Sequence, residues 1–431
     1  MQNNPSVSGD AVITTEERDT EEQSAFRLRA REWMKDNLPP RLPQQAGNDF
    51  DDLELVALDR EIQKKLHAAG FGGHLGITVP AEYGGLGLDQ RFEDIFFEEA
   101  TPYRLPWHFG NATNIVIPCL LEHGTEEQKT KYIRGILDGT HYWAQLLSEP
   151  SGGSDLAGVL TRAEKRGDKW FLNGSKVWTS GGHICDMGLC LARTDASVRK
   201  HAGLTMFLVD FHQPGMTVNQ IQLVMGGADF CQEFLDDVEV PGEDVLGEIN
   251  GGWKVAQTQL VSERKGMARG WHVGMHRGEV SEQIELTARY GQIARNIGVD
   301  LEPFARQLVG EAMVYDAVSD LIGKRINKGM RNGAMGGNAG AISSLMSSVF
   351  DIDRTRLISA LAGPEGVAQT GDHGDAAVGM SRVSTHRIGG GTLEMQMNLV
   401  AERHLGLPRE LGPAPDTPFS EIKHNRTEKI S

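Results

Sequence analysis

Cysteine is scarce: four residues, Cys119, Cys185, Cys190 and Cys231, in a chain of 431. They are too few and too scattered for a disulfide framework. None forms a Cys-x-x-Cys pair, which argues against a zinc ribbon or a thioredoxin-like motif. Basic residues are short as well, 43 Lys and Arg against 59 Asp and Glu, leaving a formal net charge of −16. So acidic a surface disfavours a nucleic-acid partner, because neutralising phosphates takes concentrated Lys and Arg. It also obliges any phosphate-bearing ligand to find local positive charge against an unfavourable mean field. No apolar run approaches membrane-spanning length, so no membrane insertion is expected. Met1-Gln-Asn-Asn-Pro5 lacks the basic-then-apolar pattern of a signal peptide, and Glu428-Lys-Ile-Ser431 matches no peroxisomal or retention tail. The expected compartment is the cytoplasm. Fourteen histidines are present, but none makes a His-x-x-x-His pair that carries a carboxylate, so no metal site is expected. A Walker A loop, a Rossmann glycine fingerprint and internal repeats are missing too.

What is present fits an ordinary globular protein, with 39% hydrophobic residues and a mean hydropathy of −0.34. Residues 1–20 are polar and aperiodic, and read as a mobile tail. From Glu22 the apolar residues Phe26, Ala30, Trp33 and Met34 recur at helix spacing until Pro39 and Pro40. Further amphipathic helices are expected over Asp51–Ala69, Gln90–Ala100, Asn111–Leu121 and Glu126–Asp138, making 21–141 an all-α domain. Strand-like runs then dominate, among them Met187–Arg193, Gly203–Phe211 and Gln232–Val240, so 142–250 reads as an antiparallel β-domain, a small barrel or sandwich. Helical periodicity returns from 251 to 411, broken at Gly298, Gly333–Gly340 and Gly363–Gly374, before an extended tail at 412–431.

The chemistry concentrates between Gln145 and Ser180. Gln145-Leu-Leu-Ser-Glu-Pro-Ser-Gly-Gly-Ser-Asp155 ends in a knot of small and hydroxyl residues that can bring backbone N–H groups to a ligand. After the turn Arg166-Gly-Asp168, a return strand from Lys169 reaches Trp178-Thr-Ser180, a flat ring beside hydroxyls. One reading is a platform for a planar, polar-edged ligand. The other is plainer: Gly and Ser making turns, and Trp178 buried in the core.

Ser148–Asp155 and Trp178–Ser180 at this separation resemble the two flavin-binding stretches of the acyl-CoA dehydrogenase family, and the likeness runs from about Phe26 to about Arg409. It implies an α+β fold with an N-terminal helical domain, a middle antiparallel β-domain and a C-terminal four-helix-bundle domain. It implies FAD as cofactor, an acyl-CoA substrate, and an electron-transfer flavoprotein as acceptor. Leu147, Ser148, Ser154, Trp178 and Ser180 match flavin-contact positions. Thr392 and Glu394 match the start of a helix that meets the flavin pyrophosphate across a subunit boundary, where a carboxylate is unexpected.

In many family members the base that takes the α-proton is a Glu in a Tyr-Glu-Gly-Thr loop. Here the loop reads Arg387-Ile-Gly-Gly-Gly-Thr392, with Gly390 where that Glu would stand. Enzymes like isovaleryl-CoA dehydrogenase carry the base on the helix after the β-domain instead, and Glu263 in Leu260-Val-Ser-Glu-Arg264 falls there. Glu263 is therefore the expected base, with Gly390 contributing a backbone N–H to the thioester oxygen. Arg264, Gly389 and Gly391 are expected beside the substrate. The three glycines leave room for a bulky or branched acyl group, or are simply a flexible loop.

The family's Arg-x-x-Phe-Gly motif is replaced by Ala288-Arg-Tyr-Gly-Gln-Ile-Ala-Arg295, and Ala360 replaces its Gln. Both elements serve the adenine half of FAD from a neighbouring subunit. The expected assembly is thus either a homo-oligomer, dimer or tetramer, or a heterotetramer with a related chain that completes the FAD site. A flavin oxidase or monooxygenase on the same fold is a further alternative.

Overall fold

The computed structural model describes residues 19–41, 50–224, 226–268, 290–336, 339–368, 379–380, 383–409, 412–414 and 416–422. The expected N-terminal tail lies almost wholly outside these residues, as does part of the segment beginning at Ala288.

The first three N-terminal helices start within about two residues of where periodicity places them. Thr20 and Gln23 form a capping box at the head of Glu21–Asn37, and Asp52 caps Leu53–Leu66 through the N–H groups of Glu54 and Leu55. Gln90–Ala100 follows, capped by Asp89. Their apolar faces meet in one cluster that includes Phe26, Met34, Ile62, Phe71, Phe92 and Phe96. The expected helices at 111–121 and 126–138 are each interrupted by a wide π turn, Ala112–Val116 and Lys129–Ile133.

Eight strands form one sheet: β1 (Trp143–Leu146), β2 (Arg162–Arg166), β3 (Lys169–Ser180), β4 (Met187–Arg193), β5 (Leu204–Asp210), β6 (Met216–Ile221), β7 (Phe230–Pro241) and β8 (Val245–Leu246). The hydrogen-bonded order is β6-β7-β3-β2-β4-β5-β8, and β1 pairs with β4. The hairpin at Arg166-Gly-Asp168 closes with Arg166 opposite Lys169, as expected. Most pairings are antiparallel, but β1 runs parallel to β4 and β2 touches β4 in parallel, so the sheet is mixed. β1 arrives directly from the helical layer and inserts beside β4 without a hairpin, which leaves its direction free of the antiparallel constraint.

β4 and β5 are apolar on both faces for a reason. Leu189, Leu191, Met206 and Leu208 pack toward the helices, while Cys190, Ala192, Phe207 and Val209 pack inside the sheet. Strands covered on both sides lose the polar alternation. The helix-side cluster also takes in Ile133, Ile136, Val255 and Ala256, so N-terminal helices, sheet and the helix Gly252–Ala268 share one core.

Beyond the sheet, the helix Gly340–Ala368 is the hub. It packs against Pro303–Arg331, Gly252–Ala268 and Leu393–Arg403. Gly363 breaks its course with φ 58°, just ahead of Pro364. The glycine-rich segment from Gly333 lies between two long helices, Pro303–Arg331 and Gly340–Ala368.

Candidate functional site

The flavin-like stretch is built on a buried ion pair that pattern reading passed over. Lys176 is fully buried, and its Nζ donates to Glu149 Oε1 at 3.0 Å, to Leu147 O at 3.1 Å and to Leu191 O at 2.7 Å. Glu149 also accepts the N–H groups of Leu160 at 2.6 Å and Thr161 at 2.8 Å. Burial alone would raise the Glu149 carboxyl, but Lys176 and these donors win and hold it below the usual range. One ammonium thus fastens the end of β1, the strand β3 and the strand β4 around the turn. A further tie runs from Val177 N–H to Ser148 O at 2.9 Å.

This frame holds the turn open. Ser151, Gly152, Gly153 and Ser154 are exposed, whereas Leu147 and Ser148 are half-buried. Gly153 approaches Ser148 so closely that an added Cβ would lie 3.0 Å from its Oγ.

Trp178 is the clearest departure from a plain strand. Its neighbours Leu172 and Lys176 face inward, and strict alternation would bury position 178 as well. Instead the pairing with β7 slips between Val177 and Thr179, and Trp178 adopts φ 66°. The bulge turns the indole outward, 57% exposed, with Phe230 edge-on at 6.1 Å. The core alternative for Trp178 is therefore wrong. Thr179 takes the inward place and donates its hydroxyl to the buried Glu233 at 2.6 Å. Loss of water pushes Glu233 up to about 7 despite that bond. Ser180 is half-buried beside it.

Glu263 lies on the helix Gly252–Ala268, half-buried. Enclosure raises its carboxyl to about 7, against the opposing pull of Arg264. A base with that pKa is in balance between its two forms near neutrality. Arg264 is also half-buried, with its Nε unpaired among the described residues and its guanidinium shifted down by burial. One turn before Glu263, Gln259 donates to Gln145 Oε1 at 2.8 Å. That bond joins the helix carrying Glu263 to the first residue of the flavin-like stretch.

The glycine loop is ordered by its own helix. Gln396 Nε2 donates to Gly390 O at 2.9 Å and to Gly391 O at 3.4 Å, and Gly389 N–H donates to Thr385 O at 3.0 Å. Gly390 and Gly391 have φ 68° and 101°, conformations that side chains resist. These bonds tie the loop to the helix that follows it. Thr392 caps the following helix by accepting the Met395 N–H, and Glu394 is exposed in its first turn. A carboxylate there stabilises the helix terminus itself, which accounts for its presence. Tyr290 is buried against Leu361, while Ala360 is exposed. No cluster of metal-binding side chains exists among the described residues.

With this geometry in place, the comparisons decide the family. Three acyl-CoA dehydrogenase domain models match in sequence: the N-terminal domain over 20–140, the middle domain over 144–238 and the C-terminal domain over 250–405. The chain belongs to the acyl-CoA dehydrogenase family. It is similar to the acyl-CoA dehydrogenase IpdE1 of Mycobacterium tuberculosis, 33% identical over 89% of this chain and 98% of the relative. It is also similar to the mitochondrial isovaleryl-CoA dehydrogenase of Pongo abelii, 33% identical over 58% of this chain and 59% of that protein. Among solved structures, the Tcur3481-Tcur3483 steroid ACAD superposes with a TM-score of 0.74 at 30% identity, covering 91% of this chain and 99% of that one. As a member of this family the protein is a flavoprotein oxidoreductase acting on CH–CH bonds. None of the described helices is long and apolar enough to cross a membrane.

An acyl-CoA dehydrogenase uses FAD, and the residues present fit one half of it well. The outward indole of Trp178, the small-residue turn 151–154 and the hydroxyls of Ser148 and Ser180 offer a flat wall with hydrogen-bonding edges. The other half fits less well, because Glu394 stands at the helix start that would meet the pyrophosphate and Ala360, on the adenine side, supplies no polar group.

Proposed function

We propose that this acyl-CoA dehydrogenase removes hydrogen across the α,β bond of an acyl-CoA thioester, with Glu263 as the base. The observation that carries the reading is Glu263 itself, its carboxyl raised by enclosure, on a helix tied through Gln259 and Gln145 to the flavin stretch, in a chain whose loop at 387–392 has no carboxylate. Glu263 takes the α-proton and Gly390 N–H polarises the thioester carbonyl, a donor type commonly worth about 10²–10³ in rate. Leu147, Ser148, Ser154, Trp178 and Ser180 would hold FAD, with Thr392 toward its phosphates. Bound FAD supplies the acceptor for the hydride that leaves the β-carbon. The product is the 2,3-unsaturated thioester, and the electrons pass on to an electron-transfer flavoprotein.

Arg264, Gly389 and Gly391 border the acyl group in this reading. A loop with no side chain at Gly389, Gly390 or Gly391 supports a bulky or polycyclic acyl chain over a short linear one, in keeping with the steroid enzyme among its structural relatives. Four buried free cysteines suit a reducing cytoplasm. Residues 21–141, 142–250 and 251–411 act as the helical, flavin-bearing and helical parts.

The assembly has two forms to separate. Exposed apolar residues on the last helical part, Phe304, Val314, Leu321 and Ile388 among them, support an oligomer. Ala360 and the missing Arg-x-x-Phe-Gly motif, both on the adenine side, favour a heteromer in which a related chain completes the FAD site. The test is to express the chain alone, record its visible spectrum and titrate it anaerobically with a panel of acyl-CoA thioesters. Bleaching that vanishes in Glu263→Gln supports the catalytic reading. A stable, colourless chain that responds to no thioester supports the partner-subunit reading and ends the other.

A further inference from the structure

Part of the segment that follows the last long helix is seated on the β-domain. The Phe419 N–H donates to Val198 O at 2.8 Å, the Ser420 N–H donates to Ala196 O at 3.0 Å, and Pro418 forms a bridge with Arg199. Residues 416–422 therefore lie along the loop 194–203, which joins β4 to β5.

Beneath them sits an enclosed cation. Arg193, the last residue of β4, and Phe419 are each 5% exposed, and the guanidinium carbon lies 3.5 Å from the centroid of the ring. Nη1 donates to Lys200 O and Nη2 to Ala157 O, each at 2.6 Å, while Nε is unpaired among the described residues. Both acceptors are backbone carbonyls rather than carboxylates, and enclosure pushes the guanidinium down to about 10. The face of the ring attracts this cation and keeps water from its N–H groups.

The Ala157 carbonyl gives the contact its reach. Ala157 lies in the short helical turn Leu156–Gly158, directly after the flavin-like stretch, where Gly158 N–H closes on Asp155 O at 2.7 Å. Lys200, whose carbonyl takes the other guanidinium bond, pairs through its ammonium with Asp155. The Arg193 N–H donates to Thr161 O at 2.7 Å, and the Thr161 N–H is one of the two that Glu149 accepts. Direct contacts thus run from Phe419 through Arg193 to Asp155 on one side of the turn and Glu149 on the other. Without the ring, water reaches the guanidinium and competes for the donors that hold Ala157 and Lys200.

We propose that residues 416–422 form a strap that positions the flavin-binding turn, with Phe419 and Arg193 as its positioning residues. Neither touches flavin or substrate, and the inference rests on the assignment of 148–155 to the flavin. Seating the strap and binding FAD favour the same arrangement of the turn, so each strengthens the other.

The test is hydrogen exchange read by mass spectrometry on the full chain, with and without FAD, beside a fluorescence titration with FAD. Phe419→Ala should quicken exchange at 155–161 about tenfold and weaken FAD binding about tenfold, a common size for coupling between two sites. Reciprocity then requires FAD to slow exchange at the Phe419 and Ser420 amides of the wild type by a comparable factor. That last reading needs no substitution, so it decides the matter if Phe419→Ala quickens exchange throughout the chain. Quickening confined to 194–203 and 416–422, with FAD affinity unchanged, overturns the inference. So does FAD that binds and leaves the Phe419 and Ser420 amides untouched. If the wild type binds no FAD, the flavin reading of the turn falls instead, and exchange at 155–161 alone decides whether the strap orders it.

Discussion

Replacing Glu263 with Gln should change catalysis and stability together, in opposite directions. The carboxyl titrates at about 7 in the folded chain against an ordinary value of 4.5. At pH 6 about one-eleventh of such a group is ionised and at pH 8 about ten-elevenths, so kcat/KM should rise roughly tenfold over that interval and then level off. Glu263→Gln should lose at least about 10²–10⁴ in rate. The stability effect has the other sign. Between pH 4.5 and 7 the folded state holds a proton that the unfolded state has released, so stability falls as pH rises through that window. The full loss is about 3 kcal/mol, from a shift of roughly 2.5 units at 1.36 kcal/mol each. The Gln variant has no proton to lose. It should match the wild type near pH 4 and exceed it by up to about 3 kcal/mol at pH 8. Urea unfolding at the two pH values reads the difference, and stopped-flow flavin bleaching reads the rate. A rate step near pH 4.5, or a Gln variant with undiminished bleaching, would refute the assignment of Glu263.

Other outcomes follow from the same geometry. Lys176→Met leaves Glu149 buried without its cation and should cost about 3–5 kcal/mol in chemical denaturation, with much of the loss recovered in the Lys176→Met/Glu149→Gln double variant; additive losses would count against the pair. Trp178→Gly relieves a left-handed conformation that costs about 1–3 kcal/mol, so flavin-free protein should be no less stable while flavin affinity falls about tenfold. Fluorescence titration with FAD checks the second half, and undiminished affinity would remove Trp178 from the site. Gly390→Glu in the Glu263→Gln background should restore slow bleaching, on the order of a hundredth of wild-type rate given imperfect placement. The same change should destabilise the chain by about 1–2 kcal/mol, because Gly390 sits at φ 68°. No bleaching at all would mean the loop does not face the acyl group.

Much of the architecture was readable beforehand because local signals agreed with the final packing. Thr20 with Gln23, Asp52 and Asp89 are helix starts by their own hydrogen bonds, and Met187–Arg193 is a strand whose bounds periodicity alone supplies. The parallel placement of β1 was not readable, since direction depends on which gap in the sheet is open. Trp178 shows a different limit. Alternation buries it, and only the bulge, a tertiary adjustment against β7, turns it out. Lys176 could have been found, because a lysine on the inward parity of β3 requires a buried partner, and Glu149 is the acid in the facing turn. Gln259 carried no such mark. Its importance arises from contact with Gln145, over a hundred residues away in sequence.

The helix Gly340–Ala368 has a consequence for how this enzyme can change. The helix bearing Glu263 packs on it, Gly340 lying against Arg264, and so do both segments that flank the glycine loop. The proposed base and the proposed backbone donor thus both rest on one helix, whose course is broken at Gly363. Their spacing is a property of that helix rather than of two independent loops. Substitutions along its surface would carry both groups together and preserve the chemistry while the acyl cavity is reshaped.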